Sequence, residues 1–566
     1  MPEQTCYVHI PHTSPMDSNL IHQYLDVRAE QHPETEAIVI YDADMNRSAM
    51  TYRQLKDRSM HLAASLVTLG LSRGQHVILI GGNTLEYVVF LMALHRLGAH
   101  AIIMGPGDLT PERTDVMIGL GCAMVAFDAN MKPSQQRQLW SSIEKLNTNC
   151  KVTLVSIREF DSEMMISPSG EVLRYATLLE EGETTGTEGL LKAQAVVQVD
   201  DPIVTTTSSG STGVAKLVQF TTHCLVNIKG GPRAAAKRSQ VRAVSYNDRP
   251  IAWVSGLVSL YNILYGEMTS VWAPVEKILT NEYKHLAFEI MEREKCTASS
   301  VRPFQVASPD EWIKYDLNIK MAIFSGRCYT PDEIVKTMEA LPGANALHIY
   351  GASEAMKIAT RFIIRSALQD KASLCKLTLS PGVELKIIDD KGCLVPRGEM
   401  GEICVRNECV FMGYLGQEET TKKVKSPDGW IRMGDLGVMD EEGRLQVLGR
   451  KVEVIKKASV KIVPGEIEAS LMQHPLLARA VVIGVPDQVF YQEICACVEF
   501  HGKGEDASTK IMELDNWCIE HFPPRANGMT VKPKYFVAFK EFPTTVTGKI
   551  DLYNLRKRAL EQLSLA

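Results

Sequence analysis

Residues 205–216 read Thr-Thr-Thr-Ser-Ser-Gly-Ser-Thr-Gly-Val-Ala-Lys. Small hydroxyl residues followed by glycines and a lysine supply backbone N–H groups, rotatable hydroxyls and a positive charge, which together can hold a polyphosphate. Glycine allows positive φ and a close approach of the backbone to phosphate oxygens. The apolar residues at 202–204 predict a short strand that leads into the loop. The stretch therefore predicts a phosphate-binding loop whose candidate residues are Ser209, Gly210, Ser211, Thr212, Gly213 and Lys216.

The spacing of the two glycines distinguishes this loop from a Walker loop. A Walker loop has four residues between its glycines and a Lys-Ser or Lys-Thr pair after the second. Here two residues separate the glycines, and Lys216 is followed by Leu217. The S-G-S-T-G-x-x-K spacing instead resembles the ATP loop of the adenylate-forming superfamily, which includes acyl-CoA synthetases, peptide-synthetase adenylation domains and beetle luciferases. An exposed polar loop without a catalytic role is the alternative for such a run considered alone.

The composition is that of an ordinary multidomain enzyme. A chain of 566 residues exceeds what one hydrophobic core usually supports, so we expect two or more domains. The net charge of −6 is spread without long blocks of one sign, which argues against a basic surface for nucleic acid. Thirteen cysteines without C-x-x-C pairs favour free thiols in a reducing compartment over a disulfide framework or a zinc site.

The sequence predicts neither export nor a membrane span. The first seventeen residues lack the charged and apolar regions of a signal peptide. The last three, Ser-Leu-Ala, differ from the peroxisomal tripeptide. The longest apolar segment, residues 87–104, is interrupted by His95, Arg96 and His100, which argues against a membrane-spanning helix. We therefore expect a cytoplasmic enzyme.

Helical and strand patterns alternate along the first part of the chain. This alternation predicts an α/β fold built on largely parallel sheets. Residues 159–192 are charged and irregular, and we expect them to form a surface connection. Short strands and turns between residues 381 and 414 predict a small β-subdomain that ends with Gly413 and Tyr414. The predicted helices of the first part are 21–31, 51–69 and one from Asn83 to Leu97, and the predicted strands are 76–80, 99–104, 124–127 and 152–155.

The stretch 250–257, Pro-Ile-Ala-Trp-Val-Ser-Gly-Leu, predicts a strand-to-helix turn. The resemblance implies that Trp253, Gly256 and Leu257 line the acid pocket. Peptide-synthetase domains place an Asp in this region to pair with the substrate ammonium, and the best register puts Trp253 there. Because an unpaired ammonium is costly in a dry pocket, this argues against an α-amino acid substrate. Packing in the core is the alternative role for Trp253.

Two further motifs resemble the nucleotide site of the superfamily. Gly326 ends a predicted strand at a turn that the resemblance places beside adenine, although Arg-Cys-Tyr at 327–329 replaces the usual small residues. The later stretch 348–354, His-Ile-Tyr-Gly-Ala-Ser-Glu, matches the Tyr-Gly-x-Thr/Ser-Glu motif. The resemblance implies that Tyr350 gives adenine a flat face, that Ser353 donates to the α-phosphate and that Glu354 is an oxygen ligand for Mg²⁺. Gly351 belongs to the same nucleotide-binding motif.

The stretch 428–436, Asp-Gly-Trp-Ile-Arg-Met-Gly-Asp-Leu, followed by Gly449 and Arg450, resembles the ribose-binding and linker segment. A carboxylate such as Asp435 can accept from both ribose hydroxyls, and Arg450 can add a fixed positive fork. Met433 stands where Thr is usual, which removes a hydroxyl donor and leaves the carboxylate unchanged.

The resemblance implies a domain boundary at Arg450. Residues 1–450 would form an adenylation domain, and residues 451–566 a small α+β domain that swings between two poses. Near the end, Pro-Thr-Thr-Val-Thr-Gly-Lys at 543–549 matches the loop whose lysine reaches the active site. Lys549 is therefore the first candidate for catalysis, with Glu354 and Lys216, because its ammonium can bridge the substrate carboxylate and the α-phosphate. A solvated surface lysine is the alternative.

Motifs in the family's order, spread from Thr51 to Lys549, imply that a carboxylic acid reacts with ATP and Mg²⁺ to give acyl-AMP and pyrophosphate. In the usual second half-reaction the thiol of CoA takes the acyl group. Two positions depart from the pattern of the second half: Ser459 replaces a Gly beside the pantetheine path, and Val452 replaces an Asp or Lys at the hinge. Because Ser is small, we expect CoA ligation to survive. The resemblance to medium-chain and aryl acyl-CoA synthetases implies a medium-chain fatty or aryl acid as the substrate.

Two alternatives remain at this point. The first is an acyl-AMP-forming enzyme that hands the acyl group to a separate carrier protein, an amine or oxygen. The second is a nucleotide-binding homologue that has lost turnover. Retention of Lys216, Glu354, Asp435, Arg450 and Lys549 together argues against the second alternative.

Overall fold

The structure is a computed structural model. It describes residues 5–106, 108–159, 171–208, 216–228, 242–274, 277, 284–301, 305, 310–457, 460–502, 506–524, 530–544 and 550–565.

The strands, numbered along the chain, are β1 (Tyr7–His9), β2 (Glu36–Tyr41), β3 (Arg47–Thr51), β4 (His76–Ile80), β5 (His100–Met104), β6 (Met124–Phe127), β7 (Thr153–Ser156), β8 (Val172–Arg174), β9 (Pro202–Ser208), β10 (Lys216–Thr221), β11 (Ala243–Asn247), β12 (Met268–Trp272), β13 (Ala298–Ser300), β14 (Met321–Ser325), β15 (Asn345–Ala352), β16 (Met356–Ile363), β17 (Thr378–Leu379), β18 (Glu384–Ile388), β19 (Gly401–Arg406), β20 (Gly413–Tyr414), β21 (Ile431–Met439), β22 (Leu445–Arg450), β23 (Ile455–Lys457), β24 (Val460–Ile462), β25 (Leu477–Asp487), β26 (Tyr491–Phe500) and β27 (Tyr535–Ala538).

The helices are α1 (Ile21–Gln31), α2 (Tyr52–Thr68), α3 (Leu85–Leu97), α4 (Pro111–Leu120), α5 (Pro133–Asn149), α6 (Tyr175–Thr184), α7 (Glu188–Gln194), α8 (Thr222–Val226), α9 (Val254–Tyr261), α10 (Lys284–Arg293), α11 (Asp310–Ile313), α12 (Pro331–Ala340), α13 (Glu418–Val424), α14 (Pro464–Leu471), α15 (Ala507–His521) and α16 (Leu552–Gln562).

Two large sheets form the N-terminal part of the molecule. One has the strand order β20-β10-β9-β5-β4-β6-β7-β8, and the other β17-β16-β15-β14-β13-β11-β12-β2-β3. Central neighbours such as β4 and β5, or β14 and β15, run parallel, and the antiparallel pairs lie toward the edges. Helices α2 and α3 share one continuous apolar core with both sheets, to which α3 contributes Leu91 and the sheets contribute Ile38 and Leu79. The predicted α/β fold with parallel sheets is confirmed.

Two smaller sheets complete the fold. The antiparallel sheet β1-β18-β19-β21-β22 is the predicted β-subdomain, and it ends at Arg450. The last sheet has the order β24-β23-β26-β25, with β27 parallel to β26. Helices α14 and α15 contribute Leu471 and Leu514 to an apolar core beneath it. This sheet and its helices form the small C-terminal α+β unit.

Local sequence signals set the ends of several helices. The Thr51 hydroxyl accepts from the Gln54 N–H at 3.2 Å while the Gln54 side chain accepts from the Thr51 N–H at 2.9 Å, which starts α2. Thr84 starts α3 by accepting from Tyr87 N–H, and Gly98 ends it with φ of 63°. The predicted helices before Leu97 and the strands before residue 156 are confirmed within one or two residues.

The expectation of an irregular connection at residues 159–192 is wrong. The described part of that stretch contains β8, α6 and the start of α7. Leu178 and Leu190 are buried, and both helices pack on α2. Gly182 of α6 lies so close to α2 that a Cβ there would overlap the carbonyl of His61. A few buried residues per helix, separated by charged ones, are enough to anchor these otherwise largely exposed helices.

The pair Gly413 and Tyr414 also differs from expectation. Both residues were predicted to belong to the small β-subdomain, whereas β20 pairs with β10 at the edge of a large sheet. Edge strand β10 would otherwise present unpaired backbone groups there. The pairing places Tyr414 opposite Val218, two residues after Lys216.

All thirteen cysteines are free thiols. Cys495 and Cys497 are both buried on β26. No helix in the described part of the chain is both long enough and apolar enough to cross a membrane.

The fold buries three histidines in their neutral form. His95 on α3 shares a hydrogen bond of 2.6 Å with the Tyr261 hydroxyl, and His100 on β5 shares one of 2.8 Å with the Thr205 hydroxyl. Burial lowers the pKa of both to about 3. Burial and the nearby Arg96 charge lower the pKa of His22 on α1 to about 4.

We expect the free energy of unfolding to fall when the pH is lowered from 7.5 to 5.5. Below pH 6.5 the unfolded chain binds protons at His22, His95 and His100 that the folded chain does not. The contribution of the three histidines to the free energy of unfolding is therefore fully present above pH 6.5, and it is lost progressively as the pH falls toward 4. The loss at pH 5.5 is at most about 4 kcal/mol, from about 1.4 kcal/mol for each histidine.

Urea unfolding followed by circular dichroism at the two pH values measures this loss. Replacing His95 with Phe should reduce the pH dependence, whereas replacing the exposed His9 with Gln should not. An identical free energy of unfolding at pH 7.5 and 5.5 would contradict the prediction.

Candidate active site

The candidate residues lie where parallel strands end. The phosphate loop follows β9, Gly326 follows β14, and the turn with Ser353 and Glu354 follows β15. Trp253 follows β11, and an isolated parallel bridge joins it to Thr207 of β9. Ligands of open α/β sheets bind outside the carboxyl ends of the strands. The fold thus brings together motifs that are distant along the chain.

The predicted phosphate loop connects two paired strands along the chain. Ser208 of β9 faces Lys216 of β10, and Thr205 is held by His100. The predicted loop residues between these strands, Ser209, Gly210, Ser211, Thr212 and Gly213, lie outside the described residues.

Asp435 is the centre of a hydrogen-bond network that joins three elements. The Tyr350 hydroxyl on β15 donates to its Oδ2 at 2.7 Å. Arg450 lies directly across the β21–β22 ladder, and its Nε is 3.2 Å from Oδ1. The Asp435 side chain is only 10% exposed, so its carboxylate is largely shielded from water.

The charges around Asp435 define which groups donate. Burial raises the pKa of Tyr350 well above its usual value, and the Asp435 carboxylate raises it further, so the hydroxyl keeps its proton. Arg450 also donates from Nη1 to the Met433 carbonyl at 3.2 Å. The Met433 side chain is buried in the apolar core. The Met that replaces the usual Thr therefore packs inward, while its backbone helps to orient Arg450.

The turn between β15 and β16 carries Ser353 and Glu354, both partly exposed. Gly351 precedes the turn, and a Cβ there would overlap the Met356 carbonyl, so only glycine fits this tight return. Burial lowers the pKa of Lys357, three residues after Glu354, to about 8.

Glu354 and Lys216 meet at a tyrosine that sequence reasoning missed. The Tyr414 hydroxyl donates to Glu354 Oε1 at 2.7 Å, and Lys216 Nζ lies 4.7 Å from the centre of the Tyr414 ring. The Arg450 guanidinium interacts electrostatically with both the Glu354 carboxylate and the Tyr414 hydroxyl. The two clusters, around Asp435 and around Tyr414, thus belong to one site.

The residues predicted for the acid pocket occupy different environments. Trp253 is half-buried and starts α9. Leu257 is fully buried in the main core. Gly256 packs against the Pro250 carbonyl, which a Cβ would overlap. Asn83, which sequence reasoning did not select, holds the turn by donating to the Arg249 carbonyl and accepting from Ile251 N–H.

The turn after β14 has its own anchors. Gly326 has φ of 85°, in the region that favours glycine. Arg327 donates to both oxygens of Glu333, and its guanidinium lies 4.1 Å from the Tyr329 ring centre. The Arg that replaces a usual small residue is therefore held by α12, next to the Gly326 turn.

The C-terminal candidates are only partly described. Lys549 and Ser459 lie outside the described residues, although Thr544 and Ile550 form an antiparallel bridge on either side of the Lys549 loop. Val452 is 79% exposed in a short 3₁₀ turn after β22.

Ion pairs cross the segment that contains Val452. Asp390 contacts Lys451 Nζ at 3.1 Å and Lys461 Nζ at 2.6 Å. Lys451 also contacts Glu402 at 2.9 Å, and Glu402 contacts Arg432 at 2.6 Å. The two lysines lower the pKa of Asp390 to about 2. This chain of charges fastens β24 to the β-subdomain.

Sequence profiles of known families match most of the chain. A profile of AMP-binding enzymes matches residues 25–415, and a profile of the AMP-binding enzyme C-terminal domain matches residues 466–549.

Curated relatives match over nearly the whole chain. The mitochondrial medium-chain acyl-CoA ligase ACSF2 of Rattus norvegicus is 25% identical over 97% of this chain and 89% of its own length. The putative acyl-CoA synthetase YngI of Bacillus subtilis is 26% identical over 97% of this chain and 99% of its own. A crystal structure of the anthranilate CoA ligase AuaEII in complex with anthranoyl-AMP has a TM-score of 0.76 and 19% identity, and it covers 98% of this chain and 99% of its own.

We expect replacement of Asp390 with Asn to open the segment after Arg450. Exposed ion pairs contribute about 0–1 kcal/mol each. Loss of the pairs with Lys451 and Lys461 should therefore speed trypsin cleavage between residues 450 and 461 about two- to fivefold, as measured by mass spectrometry. Raising the salt concentration should speed cleavage of the unmodified protein too.

Asp115→Asn is the matched control, since it removes an exposed ion pair with Lys145 elsewhere in the molecule. Equal cleavage rates in the Asp390 and Asp115 variants would count against the role of Asp390.

Proposed function

The chain belongs to the family of AMP-binding enzymes, and on that premise we propose that it activates a medium-chain fatty or aryl acid as acyl-AMP and transfers the acyl group to CoA. The observation that carries the proposal is the shared carboxylate of Asp435, held by Tyr350 and Arg450 from two different sheets. The relatives named as acyl-CoA ligases support the substrate class.

Asp435 is proposed to bind the ribose of ATP. A carboxylate has about four lone-pair sites. Tyr350 contacts one oxygen of Asp435 and Arg450 contacts the other. Because each carboxylate oxygen can accept from more than one donor, the ribose hydroxyls are proposed as further donors. Because its two protein partners already orient the carboxylate, the nucleotide would meet a prearranged acceptor, with adenine between Tyr350 and the Gly326 turn.

The first half-reaction needs positioning and charge more than a covalent nucleophile. An oxygen of the acid attacks the α-phosphorus of ATP, a new oxygen–phosphorus bond forms, and the bond to pyrophosphate breaks. Lys549 is proposed to stabilise the negative charge that gathers between the carboxylate and the α-phosphate. Lys216 is proposed to hold the outer phosphates beside the loop, and Ser353 to donate to the α-phosphate.

Glu354 fits a Mg²⁺ ion bound chiefly through phosphate oxygens. It offers the hard oxygen ligand that Mg²⁺ prefers, and Tyr414 already holds its Oε1, so Oε2 is proposed as the ligand. The ion would neutralise the charge of the phosphates and of the leaving pyrophosphate.

The proposed acid pocket begins beside the phosphate strand. The bridge between Trp253 and Thr207 joins the start of α9 to the strand that precedes the predicted phosphate loop, and the indole of Trp253 is proposed to face the acid there. An indole offers an apolar face to an aliphatic chain or an aromatic ring and no charge for an α-ammonium. Gly256 and Leu257 are proposed to shape this pocket from behind.

CoA is the proposed acceptor. In the second half-reaction the thiol sulfur attacks the acyl carbonyl carbon, and AMP leaves with the electrons of the broken bond. The pose change about residue 450 would bring the C-terminal unit into place for this step. Ser459 and Val452 depart from the family pattern for this step, so another acceptor, such as a separate carrier protein, is the alternative to CoA. A cytoplasmic location stays a prediction, while the rat relative is named mitochondrial.

Release of pyrophosphate from MgATP tests the proposal. The protein should release it with aliphatic or aryl acids drawn from a C2 to C16 and aromatic panel, and amino acids should be inert. Product formation should require CoA, and Lys549→Ala should lower the rate at least about 100-fold. Release that ignores CoA would indicate another acceptor. No release with any acid, despite binding of ATP, would indicate a non-catalytic homologue.

We expect Asp435→Asn to weaken AMP binding about 10- to 100-fold, because the neutral amide loses a charge-assisted acceptor worth about 1.5–3 kcal/mol. Isothermal titration calorimetry measures the dissociation constant. Asp440→Asn is the matched control, since Asp440 pairs with Arg444 in the same hairpin at the other end. Equal AMP affinity in the Asp435 variant and the unmodified protein would remove Asp435 from the ribose site.

A further inference from the structure

We propose that Tyr414 is a positioning residue that holds the metal ligand Glu354 and the phosphate-loop lysine Lys216 in a fixed relation. The inference rests on the proposed function, since it concerns how the same site binds MgATP. It assigns a role to a residue that lies outside the sequence motifs of the site.

The backbone places Tyr414 and Lys216 on one face. In the β10–β20 ladder, Tyr414 is opposite Val218. Residues two apart on a strand point to the same side of a sheet, so Lys216 shares the face of Val218 and Tyr414. The result is the 4.7 Å approach of Lys216 Nζ to the centre of the Tyr414 ring.

The hydroxyl end of the same side chain reaches the other sheet. It donates to Glu354 Oε1 at 2.7 Å. A second contact joins the same segments, because the N–H of Phe411 donates to the Glu354 carbonyl at 2.9 Å. Both the side chain and the backbone of Glu354 are therefore fixed by residues 411–414.

Tyr414 is itself rigidly held. The residue is only 4% exposed, and its ring packs edge-on against Phe411 with centres 4.9 Å apart. Its N–H donates to the Thr421 hydroxyl at 2.9 Å, and Lys425 Nζ donates to the Phe411 carbonyl at 2.7 Å. Because the ring and the backbone of Tyr414 are both held, this side chain can fix the position of Glu354 relative to Lys216 on the other sheet.

The chemistry of tyrosine suits both contacts. Burial and the Glu354 carboxylate raise the pKa of Tyr414, so its hydroxyl stays a donor. A neutral donor orients Glu354 and leaves its negative charge for a cation. The ring attracts the Lys216 ammonium without cancelling its charge, whereas a carboxylate partner would compete with phosphate for it.

The two contacts can be separated by substitution. Tyr414→Phe keeps the ring and removes the hydroxyl, so it should raise the dissociation constant of MgATP about tenfold, as for loss of a hydrogen bond to a charged group. The dissociation constants of AMP and of ATP in EDTA should stay within about twofold of the unmodified protein. Tyr414→Leu removes the ring as well, and it should also weaken ATP in EDTA about three- to fivefold.

Calorimetry with MgATP, ATP in EDTA and AMP gives these constants without turnover. Tyr7→Phe is the matched control, because the Tyr7 hydroxyl donates to Glu384 at 2.8 Å in the β-subdomain. It removes the same kind of bond away from the site and should leave all three affinities unchanged.

Two results would overturn the proposal. One is a Tyr414→Phe protein that binds MgATP as tightly as the unmodified protein. The other is an equal loss for all three ligands with a lower melting temperature, which would indicate a purely structural role. Absence of pyrophosphate release by the unmodified protein would overturn the proposed activity alone, since the binding comparison still decides the role of Tyr414. Absence of MgATP binding by the unmodified protein would overturn both.

Discussion

The candidate site depends on the contacts that the Asp435 carboxylate makes with its two partners. The carboxylate joins Tyr350 of a large parallel sheet to Arg450 at the end of the β-subdomain. Removing one partner from such a network leaves a charge or a dipole poorly solvated, which costs more than the bond contributes. The same arginine is the last residue before the segment that leads to the C-terminal unit. The proposed nucleotide contact and the segment that leads to the C-terminal unit thus share Arg450.

A second connection crosses the sheets at Tyr414. Strand β20 is only two residues long, yet it covers the edge of β10 and carries the ring between Lys216 and Glu354. The candidate site is therefore built around two polar contacts, one proposed to lie beside the sugar of the nucleotide and one beside its phosphates. Each contact consists of a tyrosine hydroxyl that donates to a carboxylate and orients it.

Much of this could be predicted from the chain. Regular apolar spacing identified α1, α2 and the parallel strands, and motif spacing selected Asp435, Glu354 and Arg450. The helices of residues 175–194 could not be predicted, because their few apolar residues acquire meaning only against α2 and the carbonyl of His61. Tyr414 was misplaced for a similar reason, since a two-residue strand has no period of its own.

The sequence by itself determined the fold class, the order of the motifs and the types of chemical group available, because periodicity and spacing are local properties of a chain. Only the tertiary structure decided which groups meet. Tyr350 and Asp435 are 85 residues apart in sequence, and Tyr414 and Glu354 are 60 apart. A hydrogen bond requires a separation of about 3 Å and a suitable angle. Those conditions arise only when the separate sheets have packed against one another in one defined arrangement.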